Sequence, residues 1–336
     1  MSADRRVLAF YYLWYGTPEV CGRWLHWRRD ASPHEAYTAH EGTHYRFTGA
    51  TADEVSDYSF LGADGLPVIQ AKNHPVIGLY DSTDPLVLRG HLKLAAAAGI
   101  DAFIASWWGI GDFSDEGMAK LMDEADALGG CQVSVYYETV PEKKPERAVE
   151  ELKYVIERYG GREGFMKVDG KPVIFLYGRV MSELTTEQWA QVIDEVRAEH
   201  DAVFIADTDA TNAPPDNVDG LHLYNPCGRV QRGDDMKAFY AEKVAEAREK
   251  GMIACATIIP GYDDTHIRAP GLVAPRLGGQ LYQALWEYAM AAQPDWVIIT
   301  SWNEWHEGSE IEPSIEDRRL YLDLTARYAA RFKGGE

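Results

Sequence analysis

Cysteine is scarce in this chain. Cys21, Cys131, Cys227 and Cys255 are the four among 336 residues, and no two form a CxxC pair. Zinc and dithiol redox motifs therefore have no support. Cys131 and Cys255, set in apolar strand-like runs, are expected to be buried thiols. Basic residues are also in deficit, with 33 Lys and Arg against 53 Asp and Glu and a net charge of −20. Nucleic acid and anionic membranes require a basic face, so neither is an expected partner. No apolar run reaches the roughly 18 residues that cross a bilayer. Met1 to Arg6 is short and polar, without a signal-peptide core. As it stands the chain reads as cytoplasmic, or as secreted or periplasmic if a leader has been removed. GxSxG, P-loop and HExxH patterns are missing as well. Asp263, Asp264 and His266 match no recognised ligand spacing, so no metal is expected.

Phenylalanine is outnumbered by the aromatics that carry a polar edge: 10 Phe stand against 10 Trp and 19 Tyr. Trp and Tyr can stack through a flat apolar face and hydrogen-bond through the rim. Sugar rings, with C–H faces and hydroxyl edges, suit such side chains. For any single aromatic a place in the core is the simpler reading, and only clustering at loops argues for a ligand.

Short apolar runs alternate with amphipathic stretches along the chain. Strands are expected at Val7–Tyr12, Ala102–Trp107, Gln132–Tyr137, Pro172–Tyr177, Val203–Asp207, Val218–Tyr224, Ile253–Ile259 and Trp296–Ser301. Their near-continuous apolar character is that of buried parallel strands. Helices are expected near 85–98, 114–128, 145–159, 185–199, 235–250, 278–292 and 317–332. Asp84-Pro85 and Thr185-Thr186-Glu187 supply N-terminal signals, and Gly99, Gly129 and Gly251 supply stops. Eight strands with helices between nearly all of them indicate a (β/α)₈ TIM barrel. The connection 208–217, broken by Pro214-Pro215, is too short for a packed helix between strands five and six. No GxGxxG follows the first strand, which argues against a doubly wound sheet. No linker or repeat interrupts the pattern, so residues 1–336 are expected to form a single catalytic barrel. Residues 13–83 are far longer than an ordinary βα loop. They hold Trp14, Tyr15, Trp24, His26, Trp27, His74 and Tyr80, and in a barrel such a loop lies on the active-site face.

Residues at the C-terminal ends of barrel strands face the active site. That rule collects Tyr11, Tyr12, Trp14, Trp107, Trp108, Tyr137, Glu138, Tyr177, Tyr224, Tyr262, Asp264, Arg268 and Asn303, with Trp24, His26, Trp27 and His74 from the long loop. The eighth strand runs into Ser301-Trp302-Asn303-Glu304-Trp305-His306-Glu307-Gly308. Glycosidic cleavage needs one protonated carboxyl at the leaving oxygen and one carboxylate acting as base or nucleophile. Glu304 and Glu307, three residues apart at one strand end, are the candidate pair. Nearby indoles and like charge would push their pKa values apart.

These residues resemble glycoside hydrolase family 99, the endo-α-mannosidase family, and its bacterial relatives. The matching blocks are Phe10-Tyr11-Tyr12-Leu13-Trp14-Tyr15-Gly16, His74-Pro75 through Asp84-Pro85, Ser106-Trp107-Trp108, Gly261-Tyr262-Asp263-Asp264-Thr265-x-Ile267-Arg268 and the Ser301–Gly308 segment. The resemblance implies a cofactor-free retaining hydrolase that cleaves internal α-mannosidic bonds of an oligosaccharide or polysaccharide. It implies Glu307 as general acid/base at the leaving oxygen. It implies Glu304 as a base on the mannose 2-hydroxyl, which attacks its own anomeric carbon to give a 1,2-anhydro sugar. Tyr11 or Tyr12, Tyr224 and Arg268 would bind sugar or position a carboxylate, and Trp107 would be a sugar platform. Two alternatives stay open on the residues alone. One is a hydrolase of this fold acting on another α-glycan or a bacterial polysaccharide; the other is a carbohydrate-binding or polysaccharide-assembly protein without catalysis.

Overall fold

Strands buried on both faces have nowhere to expose an edge, and here they close on themselves. In the computed structural model, which describes residues 4–27, 65–67 and 69–334, the barrel strands are β1 (Arg6–Tyr12), β2 (Ala102–Trp107), β3 (Gln132–Tyr137), β4 (Lys171–Leu176), β5 (Val203–Asp207), β6 (Gly220–His222), β7 (Ile253–Ile258) and β8 (Trp296–Ile299). All neighbouring pairs are parallel, and β1 pairs with both β2 and β8, so the ring is complete. The fold is a (β/α)₈ barrel with surrounding helices.

Alternation along each strand divides the core in two. Leu8, Phe10, Tyr12, Ile104, Tyr136, Phe175, Ile205 and Ile298 pack together inside the barrel. Val7, Ala9, Tyr11, Phe103, Ala105, Trp107, Val135 and Tyr137 pack outward against the helices. The helices are α1 (Pro85–Ala97), α2 (Phe113–Leu128), α3 (Pro145–Val155), α4 (Thr186–Arg197), α5 (Met236–Glu249), α6 (Gln280–Ala292) and α7 (Leu320–Phe332). In α1 the Asp84 carboxylate accepts from the Leu86 amide at 2.8 Å, and Pro85 fills the first turn, where no amide partner is needed. Thr185 and Gln188 form a reciprocal capping box on α4.

No helix lies between β5 and β6, as Pro214-Pro215 implies. Strand β6 is shorter than expected, because beyond His222 the chain turns toward the short helix Cys227–Arg232. Strand β8 stops at Ile299, two residues early, where the loop carrying Glu304 and Glu307 begins. The long β1–α1 insertion holds the short helix Pro18–Cys21, while its positions 28–64 and 68 lie outside the described residues. Among the described residues no helix is long and apolar enough to cross a membrane.

Candidate active site

At the C-terminal end of the strands the barrel opens into a cleft of about 600 Å³. Its lining includes Tyr12, Trp14, His26, Trp108, Glu138, Tyr177, Tyr224, Arg268, Glu304 and Glu307, all selected from the sequence. Both glutamates sit on one tight turn. Glu304 caps a 3₁₀ turn, Trp305–Glu307, by accepting from the His306 amide at 3.1 Å, and Gly308 ends the turn in the left-handed region. Both side chains line the cleft. The Glu304 amide is itself held by Ser301 Oγ at 2.7 Å.

The two carboxyls differ in surroundings. Glu304 is the deeper; burial first, then the charge of Glu307, pushes its pKa well above the usual carboxylate range, with Arg268 opposing. Glu307 accepts from Arg268 Nη1 at 2.9 Å and from the Tyr224 hydroxyl at 3.0 Å. Tyr224 in turn accepts from the Tyr12 hydroxyl at 2.6 Å, giving a directed chain from β1 through the β6 end to the carboxylate. Arg268 is anchored from behind, donating to Asp264 at 2.6 Å and to Tyr262 Oη at 2.8 Å. Glu138, at the end of β3, is a third buried carboxyl; burial raises it to about 7 although Arg179 and Ser106 oppose the shift. Ser106 Oγ donates to it at 2.8 Å.

One wall is a stack of rings. Trp14 lies between Tyr12 and His26, with centroids 4.4 Å from each. Trp108 carries the Arg179 guanidinium 4.4 Å over its face. His306 stacks beyond His26 at 5.4 Å; burial lowers its pKa to about 4, so its ring is neutral near pH 7.

Several expected binding residues lie elsewhere, and strand parity explains three of them. Tyr11, Trp107 and Tyr137 project outward into the helix layer. They bond to His91 at 2.9 Å, Asp115 at 3.0 Å and Glu151 at 2.7 Å respectively. Trp107, expected as a sugar platform, therefore does not reach the cleft, whereas its neighbour Trp108 lines it. Trp24 and Trp27 are buried, Trp27 stacked 4.1 Å from Tyr15. His74 is tied to Glu316 at 2.8 Å and lines no part of the cleft. Asn303 points away too, pairing through its side chain with the Tyr12 backbone at 2.7 and 3.0 Å. Tyr262 and Asp264 stand behind Arg268. Three lining residues, Arg179, Ile267 and His306, were not among the expected binding residues. His306 carried a signal, lying between the glutamates. Ile267 carried one too, inside the Gly261–Arg268 block, whereas Arg179, just after β4, carried none. Among the described residues no group of three or more His, Cys, Asp or Glu is arranged to hold a metal ion.

Comparison with known proteins bears on this geometry. Residues 2–330 match the profile of Glycosyl hydrolase family 99. A rat protein, glycoprotein endo-alpha-1,2-mannosidase, is 25% identical over 97% of this chain and 74% of its own length. A human glycoprotein endo-alpha-1,2-mannosidase-like protein is 27% identical over 96% of this chain and 75% of its own. A solved structure, the GH99 endo-alpha-mannosidase from Bacteroides thetaiotaomicron, superposes with a TM-score of 0.76 at 25% identity, covering 97% of each chain.

Proposed function

The chain belongs to glycosyl hydrolase family 99 and is a glycoside hydrolase, and from that premise we propose that it cleaves internal α-mannosidic linkages of a mannose-containing glycan with retention of configuration. The observation that carries the proposal is the convergence of Glu304 and Glu307 on one aromatic cleft, with Arg268 and Tyr224 on the second carboxylate. Curated relatives with endo-alpha-1,2-mannosidase names support the choice of sugar.

In this reading Glu307 gives its proton to the leaving oxygen. Glu304 takes the proton of the mannose 2-hydroxyl, whose oxygen closes on the anomeric carbon to form a 1,2-anhydro sugar. Water then opens that ring with Glu307 acting as base, and the proton on Glu304 returns to O2. A raised pKa suits Glu304 to this task, because the conjugate base of a weaker acid removes a hydroxyl proton more effectively. Tyr12, Trp14, His26 and Trp108, whose ring lies 6.2 Å from that of Trp14, line the cleft with aromatic surface suited to sugar C–H groups. The whole chain is read as one catalytic barrel, with the β1–α1 insertion contributing Trp14 and His26 to the wall.

The test is a glycan panel digested by wild type and variants, with products identified by mass spectrometry. Glu307→Gln should abolish turnover of unactivated α-mannans while retaining more activity on substrates with a good leaving group. Replacing the substrate 2-hydroxyl by fluorine should stop turnover. Equal loss on both substrate classes would remove Glu307 from the leaving-oxygen role, and ready cleavage of the 2-fluoro substrate would reject the anhydro route.

A further inference from the structure

Behind Glu304, on the side away from the cleft, lies a buried polar chain that the reaction itself does not use. Tyr11 Oη sits 2.9 Å from His91 Nδ1, and His91 Nε2 sits 3.1 Å from Glu312 Oε1. The other Glu312 oxygen accepts from the Tyr80 hydroxyl at 2.8 Å. Tyr80 Oη then accepts from Asn303 Nδ2 at 3.1 Å and from Trp305 Nε1 at 3.2 Å. All of these side chains are buried.

Counting protons fixes the direction of the chain. Asn303 and Trp305 can only donate to Tyr80, so its single hydroxyl proton goes to Glu312. Glu312 is then an acceptor on that oxygen, and His91 Nε2–H completes it on the other. His91 Nδ1 is left to accept from Tyr11. Every polar atom along the route finds a partner, and the two residues at its near end flank Glu304 in sequence. Asn303 also clamps the β1 end: its side chain pairs with both backbone groups of Tyr12, and Tyr15 Oη donates to its carbonyl at 2.9 Å. Tyr12 in turn leads through Tyr224 to Glu307. A single buried carboxylate thus reaches the mounts of both members of the pair.

We propose that Glu312, acting through Tyr80 and Asn303, is a positioning residue that fixes Glu304 and Glu307 relative to the sugar. The proposal rests on the reading of those two residues given above. A network of this kind has value only when complete, since a half-satisfied buried group is costlier than an apolar one. Removing the Tyr80 hydroxyl takes a hydrogen bond from Glu312, Asn303 and Trp305 at once and loosens one tie on the turn that carries Glu304. Misplacement of about 1 Å is enough to lower a rate roughly a hundredfold.

The experiment compares Tyr80→Phe, Glu312→Gln and Tyr11→Phe by steady-state kinetics on an α-mannan and on an activated aryl glycoside. Hydrogen exchange at the Glu304 and His306 amides is followed in parallel. For folded Tyr80→Phe the expected result is a kcat loss of roughly 10- to 100-fold with KM within about twofold, persisting on the activated substrate, and faster exchange at both amides. Glu312→Gln, equal in size and uncharged, should do the same and carries the test if Tyr80→Phe fails to fold. Tyr11→Phe, at the far end, should lose less. A folded Tyr80→Phe or Glu312→Gln enzyme with lowered melting temperature but wild-type kcat and exchange would reduce the network to fold maintenance and overturn the proposal. Should the wild type cleave no α-mannoside, the reading of the function fails while exchange alone still decides the positioning: faster exchange supports it, unchanged exchange ends it.

Discussion

Replacing Glu138 by Gln should flatten part of the protein's pH-stability curve. This carboxyl is 3% exposed, and burial raises it to about 7 against an ordinary 4.5. A carboxyl raised on folding binds more protons in the native state than in the unfolded one between those two values, so its contribution falls as pH rises through that window. Below 4.5 both states are protonated and the term vanishes; above 7 both are ionised and the term is complete. Integrating over two experimentally convenient points, Glu138 destabilises by about 1 kcal/mol at pH 5.5 and by about 3 kcal/mol at pH 8.5. The difference, about 2 kcal/mol, is what Glu138→Gln should remove. Urea unfolding at both pH values, in wild type and variant, reads it directly, provided the slope with denaturant is unchanged. Because Gln retains the size of the side chain and can still accept from Ser106, packing terms cancel in the comparison. Curves for the two proteins that run parallel, within about 0.5 kcal/mol across the window, would refute the reasoning.

Two further outcomes follow from the cleft. In Arg268→Gln the positive charge that lowers Glu304 is lost, so on the proposed reading, in which the ionised form of Glu304 is the base, the acidic limb of kcat/KM should move to higher pH; an unmoved limb would separate Glu304 from that limb. Trp108→Ala removes a ring face from the cleft and the seat of the Arg179 guanidinium. A loss of roughly 1 kcal/mol of stacking should raise KM about fivefold with kcat little changed, and an unaltered KM on a panel of oligosaccharides would show that no sugar rests there.

Much of this architecture was readable in the sequence because it obeys local rules. β-branched and aromatic runs set the strands, a stripe such as Leu88, Leu92 and Ala95 set α1, and Asp84 and Thr185 marked where helices begin. The glutamate pair was readable because it follows an unmistakable buried strand. What escaped was parity. Tyr11 and Tyr12, or Trp107 and Trp108, are chemically near-equivalent neighbours, and only the tilt of the closed barrel decides which of each pair faces the cleft. Long-range partners escaped as well. Nothing local links Glu312 to Tyr80, or sends Arg179 back across Trp108; these meetings depend on how the ring closes.

The three-residue spacing of Glu304 and Glu307 on a single 3₁₀ turn gives the pair something like the bite of a chelating ligand. Enzymes that draw acid and base from two separate strands must hold a distance across the whole barrel, and every remodelled wall threatens it. Here the distance is written into one turn of backbone. Changes in the aromatic lining can therefore leave the backbone spacing of the two glutamates as it is.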